Sequence, residues 1–311
     1  MQLSPLEEGP ATEQKTERLD YIDWIRIFGM LTIFFYHCFD FFSPSEWYVK
    51  NNVLSSISTL VLKFLDLWIM PLFFIVSSTS SYYSLIKRSP KHYLIERLKR
   101  LAIPFVFGIF VIIVPVQVYI KRVTEGQFNG SFIEFYPHYF NGLYAFGGNF
   151  AFFGLHLWYL GTLFIFSVLT LPLFMTFRKQ RFSSIVSNVT SFLTRPGAIF
   201  LLAIPIILIK VFVVQYRDLF IIGSPTFSCC SLLVYLIFFM IGYFLLFIPR
   251  LREVLEGQRI QALIIAIGIT MLLSVSYFYD LESVRKYQVI LTGVVSWCWL
   301  LAIFGFGSKH L

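Results

Sequence analysis

Hydrophobic residues along this chain form long unbroken runs rather than alternating with polar ones, and short charged or Pro/Gly-containing segments separate the runs. A helix rises about 1.5 Å per residue, so a run of roughly 20 residues crosses the ~30 Å hydrocarbon layer of a bilayer. About eight such runs can be placed, near 24–42, 60–86, 101–120, 152–177, 198–216, 226–248, 260–279 and 288–306. The pattern predicts an all-α fold, a polytopic bundle of transmembrane helices. The start "MQLSPLEEGPATEQKTERL" lacks the basic-then-apolar order of a cleavable signal. We read 1–19 as a flexible cytoplasmic tail and 20–311 as one membrane domain. No fixed-period repeat or separate soluble domain stands out.

Composition strengthens this picture. Of the 311 residues 57% are hydrophobic and 14% are charged, far below the roughly 25% charge of a soluble domain. The 37 Phe and 17 Tyr suit helices whose outer faces meet lipid. A formal charge of +8 raises the question of nucleic acid, but the basic residues lie between apolar runs, as positive-inside loops do. With the N-terminus placed in the cytoplasm, the inner side collects sixteen Lys and Arg and the outer side six. That bias predicts both termini inside and argues against a nucleic-acid partner. The four cysteines, Cys38, Cys229, Cys230 and Cys298, show neither metal-ligand nor disulfide spacing. Walker, HExxH, GxSxG and CxxC patterns are missing from the sequence.

Several residues are unusual for a lipid-facing helix. In "DWIRIFGMLTIFFYHC", Asp23, Arg26 and His37 point within roughly 60° of one another at 100° per residue, with Asp40 to one side. Burying Arg or Asp at the centre of a span costs on the order of 3 kcal/mol, so such groups turn toward a cavity or toward each other. His37 fits a general base, and a carbonyl or hydroxyl neighbour that satisfies a structural imidazole fits it equally. The second run carries Lys63, Asp66, an expected kink at Pro71, and Ser77, Ser78, Thr79 and Ser80, which can satisfy freed backbone or line a cavity.

"ERLKRLAIPF" puts Arg97 and Arg100 three apart at the mouth of the third run, two guanidinium forks suited to phosphate or to a plain positive-inside anchor. The long aromatic connection 121–151 reads as a lid, an acceptor site or an interfacial segment. At its end His156 and Trp158 in "HLWYLG" border an acceptor site or rest at headgroup depth, and His138 is equally ambiguous. His92 and His310 look like loop residues.

"YIDWIRIFGMLTIFFYH", "IMPLFFIVSS", "ERLKRLAIPFVFG" and "HLWYLGTLFIFS", in this order, resemble the integral membrane acyltransferase 3 family, nearest its glucan biosynthesis (succinyltransferase) branch. The resemblance covers nearly the whole chain. It implies about ten membrane helices, one or two of them beyond Leu311. The implied activity is transfer of an acyl group, succinyl or acetyl, from cytoplasmic acyl-CoA to a hydroxyl of a sugar, glucan or other extracytoplasmic acceptor. The implied setting is the bacterial inner or plasma membrane, with no metal. By the same resemblance, His37, Asp23 and Arg26 form the catalytic first-span motif, Arg97 and Arg100 bind the coenzyme, and His156 lies beside the acceptor, where Trp158 and Asp40 are further expected contacts. Relatives usually carry Ser-Gly where this chain has Ser77 and Ser78, a change expected to alter close backbone packing. Two other readings fit the residues: a transporter with an Asp23, His37 and Asp66 proton relay, and a membrane scaffold or receptor.

Overall fold

The computed structural model describes residues 19–44, 50–215, 229–247 and 250–311. All of the expected tail except Leu19 lies outside the described residues. The helices are α1 (Asp20–Asp40), α2 (Ser56–Asp66), α3 (Ile69–Lys87), α4 (Pro90–Arg97), α5 (Ile103–Phe110), α6 (Ile113–Thr124), α7 (Phe132–Tyr139), α8 (Trp158–Phe177), α9 (Ser183–Leu193), α10 (Ala203–Gln215), α11 (Cys229–Phe247), α12 (Arg250–Tyr279) and α13 (Glu282–His310).

Six helical stretches among the described residues have the length and apolarity to cross a bilayer: Asp20–Asp40, Ser56–Lys87, Pro90–Thr124, Leu155–Phe177, Arg250–Tyr279 and Glu282–His310. The two remaining expected runs take other forms. The first is half of a pair, Gln180–Leu193 and Ala198–Phe212, bent by 116°, and the second contains the shorter apolar helix Leu232–Leu245.

The main core is aromatic and aliphatic, with Phe74, Phe174, Phe238, Phe239, Tyr243 and Trp297 fully buried. Phe174 and Tyr243 stack at 3.6 Å, and the Trp297 indole donates to the Ile199 carbonyl at 2.9 Å. α1 lies at the rim of the bundle. It buries Tyr21, Ile22, Ile25 and Gly29 and leaves Trp24, Phe28, Leu31, Phe34 and Phe35 exposed, a face that lipid accepts without penalty.

The break in the second span precedes the proline that was expected to cause it. The helix interrupts at Leu67 and Trp68, between α2 and α3. Pro71 then falls in the first turn of α3, where its missing N–H would have had no intrahelical acceptor. A second irregularity lies between Arg97 and Ile103. Residues Leu98–Ala102 form a π turn in which the Ile103 N–H bonds the Leu98 carbonyl. Pro104 has no N–H to offer the Arg100 carbonyl, so the α pattern cannot run through this point.

α3 packs along α11, and α12 along α13. The α3–α11 approach depends on Gly242. A Cβ there would meet the Ser78 hydroxyl and come within 2.7 Å of the Ile75 backbone. Ser78 is fully buried and donates to the Ile75 carbonyl at 2.7 Å. The serine side chain is accommodated because the facing position on α11 is a glycine.

Connection 121–151 folds into a cap with a helix and a small core of its own. α7 opens with a capping box in which Ser131 and Glu134 satisfy each other's backbone N–H groups. Arg122 ties the cap to α6, donating to Asn149 Oδ1 at 2.8 Å, Gln127 Oε1 at 2.6 Å and the Gly148 carbonyl at 2.7 Å. Phe135, Tyr139, Ala151 and Leu155 form a second small core with Ile109, Val114 and Val118. Two histidines read as loop residues are helical: His92 lies in α4, and His310 ends α13, stacked on Phe306 at 6.2 Å.

Candidate active site

The candidate side chains gather at two ends of the bundle. At one end the start of α1, the last turns of α3, and the end of α4 with the π turn that follows it surround a cavity of about 500 Å³. Asp23, Arg26, Arg97 and Arg100 all line it. Four residues singled out from separate parts of the sequence are therefore neighbours in space.

Within this cavity Arg26 is fixed by two contacts. Its Nη1 donates to Asp23 Oδ1 at 2.8 Å, and its Nη2 lies 3.3 Å from Ser80 Oγ on α3. Arg97 turns inward, donating to Ser81 Oγ at 3.0 Å while its guanidinium lies 5.1 Å from the centre of the Tyr93 ring. Tyr93 donates to the same Ser81 oxygen at 3.0 Å. Arg100 behaves differently. It reaches back one turn to Glu96 at 2.8 Å and leaves 74% of its side chain exposed. The two arginines share one cavity but not one environment, with Arg97 at its wall and Arg100 at its rim, on either side of the start of the π turn.

Lys87 and Arg88 bring the cationic side chains at the cavity to five, against the carboxylates of Asp23 and Glu96. The excess of positive charge, together with hydroxyls from Thr79, Ser80 and Ser84, suits an anion such as a phosphate ester.

Eleven residues along α1, about 16 Å along its axis, His37 meets His156, their rings 5.5 Å apart and inclined at 62°. His156 arrives from the cap. It lies in the turn Leu155–Leu157, entered through Gly154 at φ 87° and Leu155 at φ 47°. A left-handed conformation costs a leucine on the order of 1–2 kcal/mol. Burial of Leu155 in the cap core, at 8% exposure, holds it there, and His156 is presented to α1 as a result.

The other expected residues are distributed as follows. Asp40, 5% exposed, accepts from Ser43 at 3.0 Å and pairs with Lys50 at 3.6 Å. Trp158 packs into the core against Phe74 and Tyr235. Asp66 lies close to Tyr36, the residue before His37, while Lys63 sits 3.6 Å over the ring of Tyr277. Asp23 is some three to four turns of α1 away from His37, so the structure does not assemble Asp23, His37 and Asp66 into one relay.

A contact that sequence reasoning missed lies between the two ends. Tyr159, one turn after His156, donates to the Phe73 carbonyl at 3.1 Å and lies 2.6 Å from Ser77 Oγ. Ser77 is itself about one turn before Ser80 and Ser81, which hold Arg26 and Arg97. The Ser-rich run in α3 carried a signal for this contact, but its partner on α8 needed the fold. Ser81, Tyr93 and Glu96 were missed for the same reason.

Comparison with known proteins places the chain in a family. The profile described as an acyltransferase domain matches residues 19–310. Relatives named glucans biosynthesis protein C are 26% identical over 234 residues in Salmonella typhi and in Salmonella typhimurium, and 26% identical over 235 residues in Salmonella paratyphi B. Each match covers 75% of this chain and 59% of the relative, so the chain spans about six-tenths of the length of the curated relatives it matches. No solved structure matches it significantly. With the profile running through α1, the cavity, the cap and both histidines, this chain belongs to the acyltransferase family that the profile defines.

Proposed function

We propose that this chain carries the donor-binding and transfer machinery of a membrane-bound O-acyltransferase. It moves an acyl group, succinyl or acetyl, from acyl-CoA to a hydroxyl of a sugar, glucan or other carbohydrate acceptor. The observation that carries the reading is the arrangement along α1, with a cationic cavity at one end and two facing imidazoles at the other. Coenzyme phosphates rest among Arg26, Arg97 and Arg100, the pantetheine arm runs along α1 past Ser77 and Tyr159, and the thioester reaches His37. The positive-inside bias supports a cavity on the cytoplasmic side with the histidine pair toward the far side.

In the transfer, His37 accepts the proton of the acceptor hydroxyl. The oxygen attacks the thioester carbonyl, a C–O bond forms as the C–S bond breaks, and the departing thiolate takes the proton back from the imidazolium. His156 holds the acceptor or steadies His37. Family membership and the naming of the relatives after glucan biosynthesis support the acyltransferase reading and the acceptor class respectively.

The test is thioester turnover by purified protein in lipid nanodiscs with a glucan acceptor. His37→Ala should bind CoA as the parent does and lose on the order of 10²–10⁴-fold in rate, the span of a general base. Full turnover by this variant would remove His37 from the chemistry. Proton-coupled uptake with no dependence on acyl-CoA would favour a transporter instead.

A further inference from the structure

Glu96 is an acid in a cavity lined by five cationic side chains. Its carboxylate pairs with Arg88 and, at 2.8 Å, with Arg100, while Ser84 Oγ lies 3.5 Å away. The Glu96 side chain is 18% exposed, against 40% for Arg88 and 74% for Arg100, so the two guanidiniums reach over a carboxylate set deeper than themselves. Arg97, the next residue, contacts the neutral Ser81 hydroxyl and the face of the Tyr93 ring. The cavity therefore has a wall region whose arginine faces neutral groups and a rim region whose arginines already hold an anion.

A carboxylate and a phosphate ester present the same pair of acceptor oxygens to a guanidinium fork. They cannot share one pair of forks without like-charge repulsion.

Resting on the reading of this cavity as the phosphate end of a coenzyme site, we propose that Glu96 is an internal substitute anion. It occupies the Arg88–Arg100 subsite until a phosphate group of the ligand displaces it, and so determines how tightly and how selectively the cavity binds. A ligand with one phosphate satisfies the wall region near Arg97 and leaves Glu96 in place. A ligand with several phosphates also takes the rim, and swings the carboxylate away from Arg88 and Arg100. The bound state is kept weak enough to release the spent coenzyme.

The experiment measures binding of CoA and of inorganic pyrophosphate to the purified chain, wild type, Glu96→Gln and Glu96→Asp, by titration calorimetry in neutral-lipid nanodiscs. Glu96→Gln should tighten both ligands by on the order of tenfold, the effect of removing one competing charge from a partly exposed site, and Glu96→Asp should stay near wild type. Weaker or unchanged binding in Glu96→Gln overturns the proposal and makes Glu96 a residue that positions Arg88 and Arg100. Equal tightening in Glu96→Asp also overturns it, because geometry rather than charge would then be responsible. Should wild type bind pyrophosphate but not CoA, the coenzyme reading fails while the Glu96 comparison still stands on pyrophosphate. A gain that disappears in nanodiscs containing phosphatidylglycerol would overturn the coenzyme form of the proposal, assigning the rim to a lipid headgroup. A melting temperature for each variant confirms that folded protein is compared.

Discussion

Replacing Arg97 with alanine separates the two ends of α1 most cleanly. Arg97 has a neutral partner, the Ser81 hydroxyl, which keeps its hydrogen bond from Tyr93 at 3.0 Å when the guanidinium is removed. No buried polar group is orphaned, so the variant should fold. Its loss appears on binding. A hydrogen bond to a charged group contributes about 1.5–3 kcal/mol, and each 1.4 kcal/mol is roughly tenfold in affinity. CoA binding should therefore weaken by about 10- to 150-fold. Arg97→Lys keeps the charge but not the fork and should fall between. Arg100→Ala should cost less, because a side chain 74% exposed is screened by water and salt. Calorimetric titration with CoA reads the affinities, and steady-state thioester turnover divides the effect. KM should rise while kcat at saturating donor stays near wild type, since the proposed function puts the transfer step at His37, about three turns along α1 from Arg26. An affinity within twofold of wild type, or a fall in kcat at constant KM, would refute the reasoning.

Three further outcomes follow from particular contacts. Tyr159→Phe leaves Ser77 and the Phe73 carbonyl without their hydroxyl partner and should destabilise the protein by about 1–2 kcal/mol, read as a lower melting temperature; an unchanged melting temperature would remove the contact from the account of stability. Gly242→Ala should lower stability by about 1–3 kcal/mol through overpacking of α3 on α11, and adding Ser78→Gly should recover part of it, as the Ile75 backbone clash remains. Glu134, held below the usual carboxylate range by the Ser131 backbone and side-chain hydrogen bonds, stabilises α7 above its unfolded pKa, about 4.3. This contribution is lost as pH falls from there through the lower folded pKa. Amide protection in α7 should stay level from neutral pH down to that range and then drop, whereas Glu134→Gln should show no such step.

The sequence carried the membrane architecture because a bilayer imposes a one-dimensional rule: long apolar runs must be helices that satisfy their own backbone. Where that rule is weak, the reading slipped. The run near 198–216 became one arm of a sharply bent pair, since Pro and Gly between short helices decide bending through packing rather than hydropathy. The kink assigned to Pro71 moved to Leu67 and Trp68 because the proline fits a helix start. The site was half legible. Asp23, Arg26 and His37 share a helix, so their common face follows from helical geometry, and Arg97 with Arg100 declared themselves by charge. Pro104 stood in the sequence, but the π turn it favours, and the divided environments of those two arginines, did not.

Taken alone, the order of residues determined that this chain is a helical membrane protein with ionisable groups spaced along its first span, because periodicity and charge act locally. Contacts between residues distant along the chain were beyond it. That Arg26 reaches Ser80 on α3, that Ser81 joins Tyr93 and Arg97, and that the cap delivers His156 to His37 was decided when the helices packed. Side-chain length, a strained turn at Leu155 and a missing Cβ at Gly242 set those distances, and they act only between surfaces already in contact.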